Sequence, residues 1–158
     1  MKYDVYTGII ASKDYSVFDF TSEGKNGLIR KRIQFTPTEM TDVYNLSFGD
    51  IDENCEIDDF GVSNNGDRNK ILATIAEVVK SYTHKFPAHW IFFNGSTDER
   101  NRLYRMAVGL NLDELSVVFN IYAIEDGEIV PFMKNREISA FLIRRKNVIL
   151  KHEKGGQF

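Results

Sequence analysis

One cysteine, three prolines and no long apolar run set the first limits on this chain of 158 residues. Cys55 has no partner for an internal disulfide, and the three histidines do not group with it at metal-ligand spacing. A reducing compartment is the expectation. Nowhere do about 18 apolar residues follow one another, the length that a membrane-spanning helix needs. Met1-Lys2-Tyr3-Asp4-Val5-Tyr6 includes an acid and opens no run of signal-peptide length, so a cytoplasmic protein is expected. Charge of one sign is also lacking: 20 Lys and Arg face 23 Asp and Glu, for a net charge of -3. No overall field draws such a chain onto anionic lipid or nucleic acid, and neither is the expected partner.

A catalytic set is missing as well. Acids surround Cys55 and would raise its pKa, which lowers its thiolate fraction. His84 and His89 flank Pro87, do not share a helical face and lack the glutamate of a zinc-protease arrangement. Asp50, Asp52 and Asn54 have the spacing that opens a calcium loop, but Cys55 stands where the turn glycine belongs and Gly61 where the closing glutamate belongs. An EF-hand is excluded, and no metal is expected.

What is present is a globular composition, 42% hydrophobic and 13% aromatic, with twelve Phe and seven Tyr to fill a core. The length suits one domain over residues 1–158, with 151–158 a polar tail expected to fray. Alternation with period 2 predicts strands over 15–20, 28–35, 43–50 and 115–124, and shorter ones near 8–11, 56–62 and 129–132. Asp126-Gly127 marks a hairpin. In 28–35, Ile29, Ile33 and Phe35 face one side, Arg30, Arg32 and Gln34 the other, and Lys31 interrupts the apolar face. Arg30-Lys31-Arg32 reads as the charged surface of an edge strand. Residues 136–150 fit strand better than helix.

The densest chemistry lies in 63–105. Ile71, Leu72, Ile75, Val78, Val79 and Tyr82 recur at helical spacing from Asp67 to about Lys85, where Pro87 bars continuation. Asn64, Asn65 and Gly66 suit the turn that starts this helix, and Asp67 complements its dipole. Trp90-Ile91-Phe92-Phe93 reads as an interior strand buried on both faces. Ser96-Thr97-Asp98-Glu99 matches a capping box for a second helix reaching about Leu110, with Leu103, Met106, Ala107 and Leu110 buried. The fold class is therefore α+β: a two-layer arrangement of a mixed, mainly antiparallel sheet with two main helices packed on it.

Helix N-termini present free amides, which suit phosphate or carboxylate. The candidate ligand- or anion-binding residues are Asn64, Asn65, Gly66, Arg68 and Lys70 at the first start, and Ser96, Thr97, Arg100 and Arg102 at the second. Asp67, Asp98 and Glu99 put negative charge at the same amides, so capping and local ion pairs compete with that use.

Ser63-Asn64-Asn65-Gly66-Asp67 with Lys70-Ile71-Leu72-Ala73-Thr74, and Phe93-Asn94-Gly95-Ser96-Thr97 with Arg100 and Arg102-Leu103-Tyr104-Arg105-Met106, resemble an uncharacterised family of small Bacteroidetes proteins, a domain of unknown function. The order of elements is also similar to the GNAT acyltransferases. That resemblance implies acyl-CoA held at residues 64–70, with Tyr104 as general acid. Only Gly66 stands in place of several glycines, and Asp67 would repel a pyrophosphate. The residues themselves favour a non-catalytic interaction or binding module without a cofactor, with a protein partner or a second copy as its target. A nucleic-acid role would need Arg30-Lys31-Arg32 and Arg144-Arg145-Lys146 on one face.

Overall fold

The structure, a computed structural model, describes residues 3–58, 64–95, 97–134, 136 and 138–146. Ser63, Ser96 and the 151–158 tail lie outside the described residues.

Among these are nine strands and three helices. The strands β1 (Ile10–Ala11), β2 (Val17–Gly24), β3 (Gly27–Pro37) and β4 (Val43–Ile51) form an antiparallel meander. β5 (Ile57–Asp58) folds back on the end of β4. Helix α1 (Arg68–Lys85) carries the chain to β6 (Trp90–Phe93), which runs parallel to β4, the only parallel pairing among the described residues. Helices α2 (Asp98–Leu110) and α3 (Leu112–Val118) follow, then β7 (Phe119–Glu125), β8 (Glu128–Pro131) and β9 (Ala140–Arg145). β9 inserts between β6 and β7, so the sheet reads β1-β2-β3-β4-β6-β9-β7-β8, with β5 beside β4.

The first hairpin is longer than alternation suggests. β2 continues through Thr21, Ser22 and Glu23, because Phe18, Phe20 and Ser22 all stay on the buried face. β3 is not an edge strand. It lies between β2 and β4, and Lys31, on the apolar face with Ile33 and Phe35, is only 3% exposed. The charge survives burial because Asp50, its register partner on β4, accepts from the ammonium, and the Phe48 ring lies beneath it.

Residues 112–118 are helix, so the strand expected over 115–124 begins only at Phe119. Leu112, Leu115 and Val118 sit at spacing three and pack on the core, whereas Val117 is 76% exposed. Asn111 makes the join: its side-chain amide donates to the Ala107 carbonyl and its own carbonyl accepts from Leu115 N–H.

All three helices cover one face of the sheet. Tyr82 of α1 stacks on Phe35 at 3.8 Å, Tyr104 of α2 meets Phe93 edge-on at 5.3 Å, and Leu115 of α3 joins the same cluster. Between them a cavity of about 40 Å³ is lined by Leu46, Val79, Phe93, Tyr104, Val108 and Leu115 among others. No described helix covers the opposite face. Strand β6 is therefore buried on one side only: Ile91 and Phe93 point to the helices, while Trp90 and Phe92 are half-buried on the open side.

No helix of the described residues is long and apolar enough to cross a membrane.

Candidate functional site

The two helix starts are built from different contacts. At the first, Asn65 is buried and fully engaged. Its side-chain oxygen accepts from Asn26 N–H, its amide donates to Ser22 Oγ at 3.0 Å and to the Gly27 carbonyl at 2.9 Å, and its carbonyl accepts from Lys25 N–H. Asn64 also turns to this hairpin, its carbonyl accepting from the Asn26 amide. Both asparagines thus clamp the β2–β3 turn onto the start of α1. Gly66, at φ +79, takes the left-handed conformation that lets the chain enter the helix.

Asp67 occupies the N-cap position without a side-chain cap bond. Its carboxylate instead accepts from Tyr6 Oη–H and, at 2.6 Å, from Ser22 Oγ–H. Burial, and then the bond to Asp67, push the Tyr6 hydroxyl above its ordinary pKa. Tyr6 N–H also donates to Thr74 Oγ1, so the N-terminal segment is laced along α1. A lone tyrosine carries no periodic signal, so the residues of this segment give no sign of its place on α1.

Lys70 stacks on the Tyr6 ring at 4.4 Å and borders a polar cleft of about 510 Å³ with Asp4, Thr21 and Glu23. Arg68 is exposed and reaches Met106 Sδ of α2 at 3.6 Å.

The second start is built differently from a Ser96-Glu99 box. Thr97 is the N-cap, its hydroxyl accepting from Arg100 N–H at 3.1 Å. Extended backbone at Thr97 moves the cap one residue on, leaving Glu99 in the first turn. Gly95 is required by close approach: a Cβ there would lie 2.1 Å from Asn101 N. Asn101 in turn donates to the Ile138 carbonyl at 2.6 Å, pinning α2 to the chain entering β9. Arg100 lies over the Phe48 ring at 5.2 Å, on the same ring that faces Lys31. Arg102 is exposed. Tyr104, the proposed acid, is 2% exposed and belongs to the core. It replaces the expected Leu103, Met106 and Leu110, which are only half-buried.

Beside Arg100 the sheet has a notch. β4 pairs with β6 only from Val43 to Asn45 and with β5 only at Asp50 and Ile51, so among the described residues no ladder covers this edge from Leu46 to Gly49.

The open face is the third feature. By register it presents Val43, Asn45 and Ser47 on β4, Trp90 and Phe92 on β6, Leu142 and Arg144 on β9, and Asn120 and Tyr122 on β7. Trp90 and Tyr122 have centroids 6.0 Å apart, and the Arg144 guanidinium lies 5.1 Å above Trp90. Arg30 and Arg32 also fall on this side, both near Asp19, whereas Lys31 and Arg145 face the helices, Arg145 donating to Thr83 Oγ1 and the Lys80 carbonyl. Each basic triplet is therefore split, with Arg30, Arg32 and Arg144 on the open side and Lys31 and Arg145 on the helix side. No group of three or more His, Cys, Asp or Glu among the described residues could hold a metal ion.

An open mixed sheet with helices on one side and an aromatic face on the other defines a class of small α+β domains. Residues 2–146 match the model of a family of unknown function, DUF6934, and the chain belongs to that family. No curated protein and no solved structure matches it.

Proposed function

We propose that the chain works as a single domain and a non-catalytic binding module in a bacterial cytoplasm, and that its working surface is the open face of the sheet. The carrying observation is the aromatic group Trp90, Phe92 and Tyr122 beside Arg144, left half-exposed on three neighbouring strands. Rings collected on a sheet face that no described helix covers serve recognition better than folding. Burial of Tyr104 and the structural employment of Asn64 and Asn65 count against catalysis at the helix starts. The test compares the wild-type chain with Trp90→Ala/Tyr122→Ala by light scattering and as bait against extracts. A dimer or retained partner that disappears in the double variant, at an unchanged melting temperature, supports the module. Equal behaviour of the two chains removes it.

A second reading, binding of acyl-CoA, is favoured by the notch: the parallel strands β4 and β6 part after Asn45 and Phe92, and α1 and α2 begin on that side. Arg100, over the Phe48 ring of β4, is the cation placed beside it. Thermal unfolding with acetyl-CoA tests it, since a ligand at 100 times its dissociation constant adds about 2.7 kcal/mol. A shift abolished by Arg100→Glu supports this reading, and no shift at millimolar acetyl-CoA excludes it.

A further inference from the structure

We propose that the occupant of the open face is single-stranded nucleic acid, its bases stacked on Trp90, Phe92 and Tyr122. This deepens the binding-module reading and rests on it. Three properties of the surface favour bases over an apolar protein face.

First, the rings are spread over a platform instead of being gathered into a ridge. Phe92, Leu142 and Tyr122 are register neighbours across three strands, and Trp90 stands in the next row with Arg144 and Asn120. Sheet faces that carry rings offer π-faces to unpaired bases, and here the two ring-bearing strands β6 and β7 flank β9.

Second, the charge on this half of the face has one sign. The residues that β4, β6, β7, β8 and β9 place there by register include Arg144 and no carboxylate, while the acids of 50–58 lie past the end of β4 or on the other side. An arginine already stacked on a ring can lie over a base or meet a phosphate. Third, Asn45, Ser47 and Asn120 rim the rings with neutral donors and acceptors, which suit base edges. The overall charge of -3 opposes non-specific attraction, so the contact depends on stacking more than on phosphates.

Trp90 is the sole tryptophan, so its emission reports this face directly. The experiment titrates the full chain with ten-nucleotide dT and rU strands at low and at physiological salt, reading Trp90 emission and, with labelled strands, anisotropy. Saturable quenching is expected, with a shallow salt dependence that reflects one or two phosphate contacts. Tyr122→Ala should weaken binding about 5- to 150-fold, the range for loss of one stacking ring. Arg144→Ala should also weaken it, whereas Lys13→Ala, distant on an exposed loop, should not. Trp90→Phe, followed by anisotropy alone, keeps a ring and should bind. Absence of quenching and anisotropy change at about 100 μM strand, or binding indifferent to both Tyr122 and Arg144, overturns the proposal. A dimer through this face that ignores the strands also overturns it while leaving the module reading intact; a monomer that ignores strands and partners alike removes both.

Discussion

The cavity beneath the helices makes a quantitative test of the packing. It holds about 40 Å³ between α1, α2, α3 and the sheet. At about 24 cal/mol per Å³ of void, it costs the fold roughly 1 kcal/mol. Val79 and Val108 both line it, one from α1 and one from α2, and both are nearly inaccessible to water. Val79→Ile adds one methylene without changing the branching at Cβ, and a buried methylene contributes about 0.8 kcal/mol. The expected gain is therefore just under 1 kcal/mol, read by urea unfolding. In a domain of this size it should raise the melting temperature by about 2–4 °C. Val108→Ile should do the same, but the double variant should gain less than the sum, because both methyl groups compete for one space. A loss of more than about 1 kcal/mol in both single variants, the usual result of overpacking, would refute the reasoning: the helices would then already be in contact where the void is drawn.

Breaking the Lys31–Asp50 pair should be costly. Asp50→Ala, which removes the Asp50 carboxylate from the buried ammonium, should destabilise by about 1–3 kcal/mol, and Lys31→Met/Asp50→Ala should recover most of it in a denaturant series. Asn65→Ala should lose about 2–3 kcal/mol, because Ser22, Asn26 and Gly27 each lose one hydrogen bond, and hydrogen exchange should rise first in the β2–β3 turn. His89 stacks between Tyr44 and Phe86 and shares a hydrogen bond with Tyr82, and its burial lowers its pKa. The unfolded chain then binds the proton more readily, so stability should fall as pH drops from above the ordinary histidine value near 6.5 toward the lower folded value. Melting followed across that window should show the fall, and His89→Phe should flatten it.

The amphipathic period of 68–85, the alternation of 43–50 and the Asp126-Gly127 turn were enough to read α1, β4 and the β7–β8 hairpin from residues alone. These are local signals, carried by side chains three or four apart in a helix or two apart in a strand. Even the misfit of Lys31 in an apolar row was visible. What made that position tolerable was not, because its carboxylate lies nineteen residues away on the next strand. The same limit explains 112–118, where a short apolar stretch fits either period and only packing of Leu115 beneath α1 and α2 selects helix. It explains the site as well. Asn64, Asn65 and Gly66 announced a turn by their chemistry, yet whether their amides met a ligand or a hairpin depended on where β2 and β3 came to lie. Trp90 and Phe92 looked like core because hydrophobicity says that a residue prefers burial, not which sheet face a helix will cover. Local periodicity belongs to the sequence; the partner across a long loop, and the side left open, belong to the tertiary structure.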